Sequence, residues 1–119
     1  MRALAKNKTL KSYSKGDYVA AVWGREWWIA FVTDVLVQDE YNLKFMHSVS
    51  YIDSSLSQLT SDECYVNWPE YEDICAIKLP DILCKVSRPK KTTYEGVDCY
   101  TLPKKDVEVV EFRYQNFKF

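Results

Sequence analysis

Glycine is the scarcest structural residue in this chain. Three in 119 residues leave little room for an architecture built on glycine-dependent backbone turns. Histidine occurs once, at His47, so a histidine-rich metal or catalytic centre is excluded. Four cysteines, Cys64, Cys75, Cys84 and Cys99, are separated by ten, eight and fourteen residues. None forms a C-x-x-C pair, which argues against a zinc site, so no metal and no cofactor is expected. The basic N-terminus is not followed by an apolar segment of the signal-peptide kind. No apolar run reaches membrane-spanning length, and no membrane association is expected. Reduced thiols in a cytosolic or nuclear protein fit this cysteine usage.

What is abundant is aromatic. Four tryptophans and nine tyrosines exceed what one small core needs, which suggests an aromatic binding surface. The net charge is −1, but it is unevenly spread. Met1–Gly16 carries five bases and no acid. Asp17–Val86 has a balance of −8, and Ser87–Phe119 returns to +2. An acidic body repels phosphate backbones and favours basic partners, so nucleic acid is an unlikely ligand. The basic arm 1–14 is the segment that could touch it non-specifically.

Lys15 to His47 organises the chain. Three runs rich in β-branched and aromatic residues, Tyr18–Trp23, Trp27–Val37 and Tyr41–His47, are joined by short polar turns. Alternation puts Tyr18, Ala20 and Val22 on one face of the first run and Val19, Ala21 and Trp23 on the other. The second run is apolar on both faces, so it either rounds a barrel corner or covers two cores. A small closed barrel, which removes sheet edges, is the economical expectation. Residues 48–77 then read as a rim insertion holding a short strand at Cys64–Trp68, ended by Pro69, and another at Ile74–Ile77. Leu79–Leu83 reads as a single 3₁₀ or helical turn, and Cys84–Val86 as the strand closing the sheet. Ser87–Thr93 reads as a basic linker. Val97–Thr101 and Val107–Tyr114 read as a C-terminal β-hairpin turning at Pro103–Asp106. The expected organisation is thus an arm at 1–14, a barrel at 15–86 and a linker with hairpin at 87–119.

Gly16-Asp17, Ala21-Val22-Trp23, Trp28-Ile29-Ala30-Phe31-Val32, Leu43-Lys44-Phe45 and Leu79-Pro80-Asp81-Ile82-Leu83 together resemble a Tudor domain. PWWP, chromo-barrel and Agenet modules share the same SH3-like barrel. Phe45-Met46-His47 with Trp68-Pro69-Glu70 and Asp73 also resembles Tudor-like modules of uncharacterised animal proteins. The fold this implies is all-β: a small SH3-like, Tudor-like barrel with a rim insertion and a C-terminal β-hairpin extension.

The resemblance implies a non-catalytic reader of methylated lysine or arginine in histone or other basic peptides, in a nuclear setting with a cytoplasmic one as alternative. The implied aromatic cage falls on Trp23, Trp28 and Phe45. The family's fourth wall, a tyrosine after the third strand, is replaced here by Met46-His47-Ser48. Tyr51, Trp68 and Tyr71 are the candidates to complete the cage. Glu26, Glu70, Glu72 and Asp73 would form an acidic rim. Flat π faces suit a weakly hydrated cation, which is why tryptophan walls fit that chemistry. The alternative is an adaptor that binds an unmodified partner segment, with no functional cage and with the C-terminal hairpin as its contact. His47 beside Cys64, Cys75 or Ser48 has no spacing that marks a nucleophile and base. A hydrogen-bonded rim histidine and buried thiols are the simpler reading.

Overall fold

The computed structural model describes residues 12–49 and 64–119. Three strands open the described chain: β1 Tyr18–Trp23, β2 Glu26–Val35 and β3 Glu40–Phe45. β4 (His47–Ser48), β5 (Tyr65–Asn67) and β6 (Ile74–Lys78) follow. A 3₁₀ turn at Leu79–Asp81 leads into β7 (Ile82–Val86), then β8 (Lys90–Tyr94) and β9 (Val97–Thr101). Helix α1, Lys104–Gln115, ends the described fold.

The strands form two open sheets. One has the order β6-β3-β2-β1-β7, the other β4-β5-β9-β8. The expected closed, Tudor-like barrel is therefore overturned. Closure would require β6 and β7 to pair, and they are instead the two outer strands of the five-stranded sheet. The physical reason lies in β1 and β2, which bury side chains on both faces. Ala20, Val22, Trp27 and Ile29 join one core with Val66, Leu83, Leu102, Val107 and Val110. Val19, Ala21, Ala30 and Val32 join a second core with Tyr41, Leu43, Phe45, Ile77 and Ile82. One core lies between the five-stranded sheet, the smaller sheet and α1. The other lies on the opposite face of the same central strands. The smaller sheet and α1 cover the first core, whereas the buried members of the second all come from the five-stranded sheet itself, which gathers them from β6 through to β7 without pairing those two strands.

The expected C-terminal β-hairpin is overturned as well. Val97–Thr101 is a strand, but its partner is β8, with Lys91 opposite Tyr100 and Thr93 opposite Asp98. The basic linker at Ser87–Thr93 is thus largely strand. Residues 104–115 are helical. Val107 and Val110 are both buried, one turn apart, and Tyr114 packs on the same core. That spacing of three and four is helical. Pro103 occupies the N-cap position, Asp106 sits in the first turn and Arg113 in the last, each with the sign that the helix dipole favours. The Asp106 carboxylate also accepts from the Ser87 N–H at 2.7 Å, tying the helix start to the end of β7.

The β1–β2 turn is two residues long. Trp23 and Glu26 close it as a pair, and Gly24 and Arg25 both have positive φ, 63° and 69°. Such a turn matches the right-handed twist of the strands it joins. It sets Trp23 at the outer end of β1, where the sheet no longer covers it. No described helix is long and apolar enough to cross a membrane.

All four cysteines are free thiols. Burial pushes the Cys64 thiol from its ordinary 9.0 up to about 12, and the nearby Glu111 carboxylate adds to the shift. Burial, with Glu108 beside it, raises Glu111 in turn. One oxygen of Glu111, Oε2, is buried without a hydrogen-bond partner among the described residues.

Two outcomes are expected. Ile29→Ala, in the first core, lowers unfolding free energy by about 2–5 kcal/mol in urea titration, whereas Val37→Ala, at 79% exposure, changes it by less than about 0.5 kcal/mol. An equal effect of the two would contradict this core. Between pH 9.0 and about 12 the folded protein keeps the Cys64 proton that the unfolded chain has lost. Stability therefore falls as pH rises through that window, and Cys64→Ala makes the fall shallower. Urea midpoints measured across that range check the slope.

Candidate functional site

The β1–β2 turn and the β3–β6 pair bring aromatic rings to one end of the five-stranded sheet. Trp28 is the third residue of β2, just past the turn. Its indole Nε1 donates to the Trp23 carbonyl at 3.0 Å, which fixes the ring across the turn. Phe45, at the end of β3, meets Trp28 edge to face with centroids 6.2 Å apart. His47, at the start of β4, also meets Trp28 edge to face, at 5.4 Å. Tyr71 stands edge to face over His47 at 6.0 Å. Such ring pairs contribute about 0.5–1.5 kcal/mol each beyond the area they bury.

Asp73 supplies the polar anchor. Its Oδ2 lies 2.7 Å from His47 Nε2. Its backbone carbonyl accepts from the Phe45 N–H at 2.8 Å, continuing the β3–β6 ladder. Cys75, opposite Leu43 in that ladder, faces the same side as Phe45. Trp23, Trp28, Phe45, Asp73 and Cys75 together line a recess of about 60 Å³. Trp23 is 53% exposed and Tyr71 63% exposed, whereas Phe45 is only 3% exposed.

The residues singled out in the sequence are distributed as follows. Trp23, Trp28 and Phe45 meet at this recess, with Phe45 contributing one edge from within the second core. Tyr71 reaches the cluster through His47. Trp68 does not. It packs on the first core and borders a different, broad depression with Tyr18, Phe31, Lys44 and Ile74, where the Lys44 ammonium sits 5.0 Å above its ring. Tyr51 lies outside the described residues. Among the rim acids, Asp73 belongs to the recess, and Glu26 closes the turn opposite Trp23. Glu72 pairs with Lys44 at 3.7 Å, and Glu70 is exposed.

Sequence reasoning gave His47 a rim role and did not place Cys75 beside the tryptophans. Counting alternate residues back from Ile77 along β6 would have turned Cys75 inward. His47 could not be placed that way, because the chain changes sheets at Met46. Among the described residues, no three histidine, cysteine or carboxylate side chains are grouped to hold a metal ion.

Cys75 is the one partly exposed thiol of the four, the others being buried. Brief iodoacetamide treatment of the native protein is therefore expected to label Cys75 first, with peptide mass mapping as the readout. Labelling of Cys64 before Cys75 would contradict the placement of both. Comparison of the chain with protein-family models, with curated proteins and with solved structures yields no match.

Proposed function

We propose that this domain is a non-catalytic interaction module that binds an unmodified segment of a partner protein through the aromatic cluster at Trp23, Trp28 and Tyr71. The observation that carries the proposal is the exposure of Trp23 and Tyr71 beside an ordered recess. Exposed tryptophan and tyrosine on a fixed backbone are the side chains that most often dominate binding energy between proteins. The recess is suited to the tip of one small apolar side chain, with the surrounding rings as a flat contact.

An enclosing cage for a methylated cation draws less support. Phe45 is sunk in the core, and about 60 Å³ is under half the roughly 150 Å³ that admits a benzene ring. A contact through a C-terminal hairpin falls away because residues 104–115 are helix.

The test uses a protein recovered by crosslinking to the domain, cut into tiled synthetic segments without modifications. One segment should bind saturably. Trp23→Ala should weaken it by about 2 kcal/mol, roughly thirtyfold, with the melting temperature nearly unchanged because that indole is half in solvent. Binding that is indifferent to both Trp23→Ala and Tyr71→Ala, or that requires a methylated lysine or arginine, would defeat the proposal.

A further inference from the structure

The outer strands of the two sheets are not equivalent. β7 is packed against α1. β8 carries Lys90 and Lys91, charges that discourage pairing with another chain. β4 has two residues. β6, Ile-Cys-Ala-Ile-Lys, has an apolar sequence and one charge, and no described strand lies beyond it.

The register shows which backbone groups of β6 point away from β3. Leu43 stands opposite Cys75 and Tyr41 opposite Ile77 in an antiparallel pair. At one end the Phe45 N–H donates to the Asp73 carbonyl at 2.8 Å, and at the other the Leu79 N–H donates to the Asp39 carbonyl at 2.8 Å. Hydrogen-bonded pairs alternate with unbonded pairs in such a ladder. Residues 73, 75, 77 and 79 therefore direct their backbone groups towards β3. Ile74, Ala76 and Lys78 direct theirs outward, and all three are exposed, Ile74 by 42%. A row of this kind, unpaired among the described residues, is a template for another strand.

Charge decides what kind of strand. Asp39, Glu40, Glu70, Glu72, Asp73 and Asp81 lie beside β6 or within four residues of its ends, against Lys44 and Lys78. Lys44 and Glu72 pair with each other, which leaves five carboxylates against Lys78. The edge also runs into the aromatic recess, since Asp73 and Cys75 belong to both. A strand laid along β6 would carry its alternate side chains over that recess.

We propose that β6 accepts an extended, lysine- or arginine-bearing segment of a partner protein as a sixth strand of this sheet, bonded to the backbone of Ile74, Ala76 and Lys78. This rests on the interaction reading above and names the mode of docking and the charge of the partner.

The probe is a short capped peptide alternating lysine and valine, with one alternating glutamate and valine as its counterpart. The lysine peptide should bind saturably and slow amide exchange at Ile74, Ala76 and Lys78, and the glutamate peptide should do neither. Ala76→Pro removes an outward N–H without touching a bond to β3, so the melting temperature should hold while affinity falls by about tenfold or more. If that variant does not fold, the wild-type protein with the lysine peptide N-methylated at alternate residues gives the same reading, and binding should again be lost. Undiminished binding of the N-methylated peptide in both methylation registers, or no binding of the parent peptide, overturns the proposal. Protection of those amides that grows with protein concentration and needs no peptide identifies a second copy as the occupant, and also overturns it. Loss of binding in Trp23→Ala but not in Ala76→Pro removes the edge and leaves the aromatic contact standing. Indifference to both variants removes both.

Discussion

Two strands shared by two cores are the constraint on which this fold depends. β1 and β2 alternate side chains between them, so a single pair of backbones holds Ala20, Val22 and Ile29 in one interior and Val19, Ala21, Ala30 and Val32 in the other. Moving either strand by one residue would exchange the two sets of side chains and disrupt both interiors together. The small residues at Ala20, Ala21 and Ala30 fit this arrangement. They let the backbone approach both layers, while bulk comes from Trp27 and Ile29 on one side and Leu43 and Phe45 on the other.

Open sheets leave edges, and each edge is handled differently. The helix lies along β7, where Arg113 reaches the Leu83 carbonyl and Asp106 the Ser87 N–H. Lysines line β8. At β6 no comparable device exists among the described residues, because Lys78 is its one charge and no proline interrupts it. The edge most open to pairing is therefore also the one nearest the exposed aromatics and the densest group of carboxylates.

Strand positions and face assignments around Tyr18–Phe45 were legible, because alternation of β-branched and aromatic residues is a local signal that the ladder follows directly. The alternative that the second run covers two cores was also visible in its residues. Choosing a barrel over two layers was not decidable there. That choice depends on what the last thirty residues do, and Val107, Val109 and Val110 read locally as strand. Their burial shows why they are not. Val107 and Val110 face inward while Val109 and Phe112 face solvent, a pattern that packing against Leu83, Leu102 and Trp27 imposes over β propensity. At the candidate site, Trp23, Trp28 and Phe45 are brought together by a short turn and a neighbouring strand, both readable, although the turn is one residue shorter than the run boundaries imply. Trp68 could not be assigned from sequence, because whether it faces the recess or the outer depression depends on the path from β5 to β6, which composition does not encode.

The recess is held by contacts that do not depend on a ligand. The Trp28 indole is tied to the Trp23 carbonyl, Phe45 is wedged into the second core, and His47 is braced by Asp73. A surface-side pair such as His47 and Asp73 contributes at most about 1 kcal/mol by itself. With one net hydrogen bond of about 0.5–1.5 kcal/mol and three edge-to-face ring contacts, the total is a few kcal/mol, enough to keep the rings in one arrangement. Trp23 itself adds little to that sum, being half in solvent. A large ring left half in solvent beside rings already held in place gains most of its remaining burial from another molecule, and the ordering cost of those neighbours is met before that molecule arrives. This is the physical asymmetry that separates Trp23 from Trp27, whose ring is consumed by the first core and has nothing left to offer a partner.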